Sequence, residues 1–232
     1  IEWGCVGDGV TDDTDKINSA VVEIIARGGG TIYGRDRKFK VSSITIPSVT
    51  TWVKVEFAGA GTPVQRFGTI GDFPQDPPNG MQFISDLNNV NLGVINVAAG
   101  SLYSNFNLVL LSIKNLSVRT YNNPKCHGVN AHNAMQLNME NVCVDTRMYN
   151  VQASLPTFDS CGILTPKIGN GAFNYLRNIS VSGYKWGISV QEHTDGDQII
   201  LSSCLHGLWF RIADHASYFK RVCAQRNTNH VT

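Results

Sequence analysis

The 232-residue sequence is short of several things, and each shortage removes a class of explanation. No apolar run approaches the roughly 18 residues that a membrane-spanning helix requires, so no membrane insertion is expected. Net charge is nearly absent: 19 Lys and Arg against 18 Asp and Glu leave a formal +1. That balance gives no electrostatic handle for nucleic acid or for an anionic membrane surface. The six cysteines, at 5, 126, 143, 161, 204 and 223, never form a C-x-x-C pair. Metal-ligand spacing is therefore missing, buried or half-buried thiols are expected, and neither a metal nor a cofactor is. The chain opens Ile1-Glu2-Trp3-Gly4, with no initiator Met and no signal-peptide pattern, and is expected to be a processed or truncated product.

What is present suits a turn-rich β protein: 22 glycines, and asparagines frequent in the second half. The most specific local signal runs Gly4-Cys5-Val6-Gly7-Asp8-Gly9-Val10-Thr11-Asp12-Asp13-Thr14-Asp15. It is a Gly-rich turn leading into a helix, with Thr11 or Asp12 as N-cap and with Asp13 and Asp15 where the helix dipole favours negative charge. Capping accounts for these acids without any metal or catalytic cluster. Ile17, Ala20, Val21, Ile24 and Ile25 recur at helical spacing as one apolar stripe, and Gly28-Gly29-Gly30 ends the helix. Short strands are expected at Thr31-Ile32-Tyr33, Phe39-Lys40-Val41 and Ile44-Thr45-Ile46.

As an ordered set, the run from Gly4 to Asp15, the helix to Ala26, Gly29-Gly30-Thr31-Ile32-Tyr33 and Phe39-Lys40-Val41-Ser42 resembles the opening segment of the pectate-lyase-like superfamily. The resemblance covers roughly the first fifty residues. That superfamily includes bacterial polysaccharide lyases and hydrolases and many bacteriophage tailspikes. The resemblance implies a right-handed, single-stranded parallel β-helix whose open end is covered by this helix. A cover is physically required there, because a bare terminal coil exposes its apolar interior and unpaired strand edges.

An internal repeat points to the same architecture without the resemblance. The pattern apolar-x-Asn-apolar-x-apolar occurs at Leu87–Leu92, Ile113–Val118, Met139–Val144 and Leu176–Val181, with Asn at 89, 115, 141 and 178. Weaker copies follow at Ile200–Cys204 and Phe219–Cys223. A second motif, Gly before apolar residues, interleaves at Gly128, Gly162, Gly187 and Gly207. Two strand motifs at a nearly fixed offset are what successive coils of a solenoid produce, since each coil buries its apolar face only against its neighbours. An antiparallel sandwich would instead use tight hairpin signals, for which Asp195-Gly196 is the candidate in the repeat region; the two-motif repeat outweighs it. One continuous domain is expected, with residues 1–50 as cap and 51–232 as coils. The last coil, from Phe219 to Thr232, has no cap, so more protein is expected to follow.

Alignment of the repeats assigns side chains to the outside. With Val129, Ala131, Ile188, Val190, Leu208 and Phe210 inward, the period of two turns Asn130, His132, Ser189, Gln191, Trp209 and Arg211 outward. Arg119 and Asp145 fall opposite each other on successive coils, close enough to pair. The asparagines at 89, 115, 141 and 178 are expected to form a structural ladder of side-chain amides at a turn.

The richest collection of chemistry is Gln191-Glu192-His193-Thr194-Asp195-Gly196-Asp197, expected as the turn after the strand Trp186–Val190, with Trp209, Arg211 and Asp214 on the next coil. Hydrolysis of a glycan needs two carboxyl groups flanking the bond, which makes Glu192, Asp195 and Asp197 the candidate catalytic residues. Binding a sugar chain needs aromatic platforms and planar hydrogen-bonding groups, which makes His132, Gln191, Trp209 and Arg211 the candidate binding residues. As a plain polar turn, 194–197 needs no catalytic purpose. The insertion between Asn141 and Asn178, with Tyr149, Leu155, Pro156, Phe158 and Asp159, is expected to wall a groove or to contact another chain.

His127 and His206 precede the repeated Gly, and such recurrence points to packing. The resembled pectin hydrolases carry His-Gly, but also Asn-Thr-Asp and an Asp-Asp pair that this chain lacks after residue 13, which argues against a polygalacturonase. Acidic clusters on adjacent coils, which calcium-dependent lyases would need, are not evident. The reading is a polysaccharide-binding and polysaccharide-degrading β-helix: a phage tailspike depolymerase acting on bacterial capsule or lipopolysaccharide as a homotrimer, located outside the cell or on the virion tail. The rivals are a non-catalytic receptor-binding β-helix and a secreted bacterial lyase or hydrolase.

Overall fold

A computed structural model of the protein describes residues 3–61, 80–101, 107–120, 125–146, 159–167, 173–211, 216–225 and 229–231. Tyr149, Leu155, Pro156, Phe158 and Asp214 lie outside the described residues. The chain begins with β1 (Asp8–Asp12), α1 (Thr14–Ala26), β2 (Gly29–Arg35), β3 (Lys38–Lys40), β4 (Ile44–Ile46) and β5 (Val53–Gly59). It continues through β6 (Met81–Ser85), β7 (Asn88–Val97), β8 (Asn107–Thr120), β9 (Lys125–Asn130), β10 (Ala134–Thr146) and β11 (Cys161–Leu164). It ends with β12 (Asn174–Ser182), β13 (Trp186–Val190), β14 (Thr194–Ser202), β15 (His206–Phe210), β16 (Tyr218–Gln225) and β17 (Asn229–Val231).

Among the described residues the strands form two sheets, one of ten and one of seven, paired in parallel throughout. From β6 onward the chain alternates between them, and each return places a strand beside the one laid down a coil earlier. This is consistent with a parallel β-helix. The larger sheet has two walls. The first half of β8 pairs with β5, from Val53↔Val109 to Ala58↔Lys114, and its second half with β6, from Met81↔Leu116 to Ser85↔Thr120. The break falls at Asn115, whose φ of 54° is left-handed, and the same break recurs at Asn141 (54°), Asn178 (54°), Gln198 (56°) and Arg221 (51°).

Asparagine tolerates this conformation better than most residues, because its short amide bonds locally. Here the amides bond to one another across coils: Asn141 Nδ2 donates to Asn115 Oδ1 at 2.9 Å, and Asn178 Nδ2 to Asn141 Oδ1 at 2.7 Å. The expected ladder therefore exists over 115, 141 and 178. Asn89 is not in it; it lies in β7 of the other sheet, and its Oδ1 accepts from Asn91 N. The weaker copy expected from Ile200, with Ser202 at the Asn position, belongs four residues earlier, with Gln198 there, because β12 and β14 register Arg177 on Asp197 and Ile179 on Ile199.

Inside, like side chains stack in columns. Ile44, Ile95, Val129, Ile163, Ile188 and Leu208 run up one wall, and Leu116, Val142, Ile179 and Ile199 up another, all nearly or wholly buried. The repeated glycines mark where the walls meet closely. A Cβ on Gly128 would fall 2.3 Å from Val144 Cγ1 and 2.6 Å from the Gly162 carbonyl oxygen, and one on Gly187 would fall 2.4 Å from that of Gly207. Any side chain there would push successive coils apart.

Helix α1 buries Ile17, Ala20, Val21 and Ile24 against β2, β4 and β5 at the end where β4 is the edge strand. Thr11 and Asp12 both lie in β1, so the N-cap is Asp13 and neither expected residue, although Asp12 Oδ1 accepts from Thr14 N at 2.9 Å. Asp13 serves a different purpose from the one its position suggests: it is buried and accepts from Val6 N and Gly7 N at 2.8 and 2.9 Å, pinning the Gly-rich turn. The expected Arg119–Asp145 pair is made, with Nε 3.1 Å from Oδ1 and Nη2 donating to Oδ2 at 3.3 Å.

Candidate functional site

The outer face of the seven-stranded sheet is organised by its register into three columns. Gly93, His127, Cys161, Trp186 and His206 form the first. Asn96, Asn130, Leu164, Ser189 and Trp209 form the second. Beyond the strand ends stand His132, Gln191 and Arg211. The four binding residues expected from sequence, His132, Gln191, Trp209 and Arg211, are thereby brought onto one face.

They make contact in two pairs. Gln191 Nε2 lies 3.3 Å from His132 Nδ1. The Arg211 guanidinium sits 4.7 Å over the Trp209 ring, a cation–π contact. Trp209 stacks on Trp186 with centroids 3.9 Å apart, and Trp186 stacks on His206 at 4.0 Å. Lys185 pairs with Asp159 and lies 5.6 Å over Trp186. Trp186, His206, Asp159 and Lys185 complete the site; of these, sequence named only Asp159, as part of the insertion expected to wall a groove or to contact another chain. Trp186 and His206 were legible only as flanks of the repeated Gly, and Asp159 and Lys185 lie at corners with no repeat to mark them.

The electrostatics have one sign. Burial pushes the His127 imidazole down to about 4, and its Nδ1 accepts from Cys161 N at 2.9 Å, which the neutral ring alone can do. Burial also lowers His132, assisted by the positive charges of Lys167 and Arg211. His206 is lowered by burial and by Lys185. Asp159 is held below the usual carboxylate range, first by its hydrogen bond from Lys185. Neutral imidazoles, stacked indoles and the cations Lys167, Lys185 and Arg211 against the carboxylate Asp159 make a surface suited to a ring-shaped anion. Among the described residues no group of three His, Cys, Asp or Glu is placed to hold a metal ion.

The candidate catalytic carboxylates lie elsewhere. Glu192 is wholly buried at the corner between the sheets, where its Oε1 accepts from His193 N at 2.9 Å. Asp195 and Asp197 are not in a turn: residues 194–197 are the start of β14, registered on Tyr175 and Arg177 of β12. The strand wins over the turn-like sequence because Gly196 is an inward position. A Cβ there would fall 2.3 Å from the ring of Phe219, which takes up the space. Asp197 pairs with Arg221, whose Nε donates to Oδ1 at 2.7 Å, and this hydrogen bond lowers its carboxyl. Glu192, Asp195 and Asp197 thus do not share a face with the four binding residues.

No family model matches the chain. Two curated proteins of Azotobacter vinelandii, mannuronan C5-epimerases AlgE2 and AlgE5, are each 30% identical over 115 residues, 48% of this chain. The chain spans about a tenth of the length of these relatives. ORF18 of Geobacillus virus E2 superposes over 96% of this chain and 59% of its own, with a TM-score of 0.37 and 15% identity. A candidate glycosyl hydrolase of Parabacteroides merdae superposes over 99% and 92%, with a TM-score of 0.34 and 14% identity.

Proposed function

We propose that the chain forms coils of a right-handed, single-stranded parallel β-helix that binds an acidic polysaccharide on the outer face of the seven-stranded sheet and acts on it by proton transfer. The observation that carries this is the His132 imidazole, bonded through Nδ1 to Gln191 at 3.3 Å and kept toward its neutral form by burial and by the charges of Lys167 and Arg211. Removing a proton from the carbon beside a sugar carboxylate needs that carboxylate's charge offset and an uncharged base within reach. Arg211 and Lys167 supply the first, and His132 the second. The Gln191 amide can present either its oxygen or its NH₂ to His132 Nδ1, and so sets which tautomer is held. Epimerisation at C5, the activity named for the two Azotobacter relatives, starts with such a proton transfer, and so does eliminative cleavage.

The test is incubation of the protein with polymannuronate in D₂O, with deuterium at C5 read by NMR. Exchange is expected, falling by about 10²-fold or more in His132→Ala and Arg211→Ala. No exchange and no binding of the polymer would sink the reading.

A second reading, the tailspike depolymerase, is favoured by one observation. Asp195 and Asp197 are neighbours on one side of β14, about 6.6 Å apart along the strand. Two carboxyl groups on one side of a strand are the equipment that glycan hydrolysis needs, with Asp197 held ionised by Arg221. New reducing ends without deuterium at C5, lost in Asp195→Asn, would establish it. In either case a polymer of this kind is met outside the cell.

A further inference from the structure

The aromatic side chains that the fold leaves in solvent are gathered in one place. Among the described residues five are exposed: Tyr33, Trp52, Phe173, Tyr175 and Tyr218. Tyr33, Tyr175 and Tyr218 point outward from the wall made by β2, β5 and the first halves of β8, β10, β12, β14 and β16. Trp52 and Phe173 stand immediately before two strands of the same wall, β5 and β12. This wall lies round the corner at 191–193 from the site with the tryptophans.

Register fixes the spacing. Tyr175, Asp195 and Tyr218 are consecutive in one column, so the two rings stand two strand spacings apart, about 9.6 Å, with a carboxylate between them. The next column reads Lys114, Glu140, Arg177, Asp197, Lys220, alternating in sign. Between the columns is an open cleft of about 270 Å³, lined by Lys114, Asn138, Glu140, Tyr175 and Arg177. Two acceptors beside Tyr175 are unused: Asn138 Oδ1 and Asp195 Oδ1 accept no hydrogen bond.

We infer that this wall is a second carbohydrate-binding site, for a neutral, extended glycan laid across the strands. Tyr175 and Tyr218 stack on sugar faces, and small rotations turn Asn138 and Asp195 toward sugar hydroxyls, which donate to the two empty acceptors. Alternating charge offers many hydrogen-bonding partners but no net field, so the wall has no preference for an anionic polymer. The cationic, imidazole-rich face round the corner differs from it in this respect. The inference does not depend on the chemistry proposed there.

The test is affinity electrophoresis of the protein in gels carrying xylan, galactomannan or mixed-linkage β-glucan, all neutral. Retardation in at least one is expected, with Tyr175→Ala and Tyr218→Ala each weakening it about tenfold and Asp195→Asn weakening it as well. Unfolding midpoints close to that of the parent protein would show that the variants fold. No retardation in any of the three gels overturns the inference, as does retardation that survives both tyrosine substitutions. Self-association that disappears on Tyr218→Ala, without any effect of glycan, also overturns it and makes the wall a contact between copies of the chain.

Discussion

At the scale of single residues, the fold turns on groups held in states that water alone would not choose. His127 is the clearest. In the unfolded chain it takes up a proton as pH falls through about 6.5, and in the folded chain only near 4. Between those values the unfolded state holds the extra proton. The stabilisation from the neutral ring is therefore complete above pH 6.5 and drains away as pH falls toward 4. The full swing is on the order of 3 kcal/mol. His127→Asn keeps an acceptor for Cys161 N and removes the titration, so urea unfolding of this variant should show a flatter stability profile from pH 6.5 to 4. The ladder gives a second prediction. Asn141→Ala loses two amide bonds and puts alanine at φ 54°, for a cost of about 2–4 kcal/mol in denaturant unfolding. Asn141→Gly, free of the backbone strain, should cost less. The ladder was legible from sequence because three coils use the same letter. Arg221 was reached only as the third residue of the weaker copy Phe219–Cys223, and Gln198 hides, because the backbone asks only for φ near +55°, which other residues meet without the amide.

At the scale of elements, legibility depended on whether local and long-range demands agreed. They agree in α1, whose apolar stripe and Gly-rich end bring out the helix, and in β2, β3 and β4, found within two residues at each expected end. They disagree at 194–197. Thr-Asp-Gly-Asp has the composition of a turn, yet parallel neighbours on both sides hold it extended. The decisive contact, Phe219 over Gly196, comes from a coil later in the chain, where no local pattern announces it. Gly196→Ala should therefore destabilise by about 1–3 kcal/mol, and Phe219→Leu in the same chain should recover part of that loss. Thermal unfolding of the two single variants and the double checks this. Equal destabilisation in the presence and absence of Phe219 would show the glycine to have some other role.

At the scale of the whole molecule, the candidate residues separate onto different surfaces. Period two and the coil register suffice to place His132, Gln191, Trp209 and Arg211 on one face, although not to show that Gln191 is buried there. Sequence could not show that Asp195 and Asp197 turn away from them, since that depends on where one sheet ends and the other begins. The homotrimer expected from the tailspike resemblance is a separate question. Sedimentation equilibrium should give three times the chain mass if it holds, and a single chain mass would remove it.

The left-handed break shared by successive coils has a consequence for how such a chain can change length. Because Asn115, Asn141 and Asn178 leave the first wall and enter the second in the same conformation, any one of them is a seamless splice point for another. A stretch running from one break to the next is a cassette: duplicating it or cutting it out would shift everything downstream by one rung and leave the walls aligned. Growth by whole rungs would lengthen both sheets together, so a chain of this kind can extend its outer surface without redesigning a single contact.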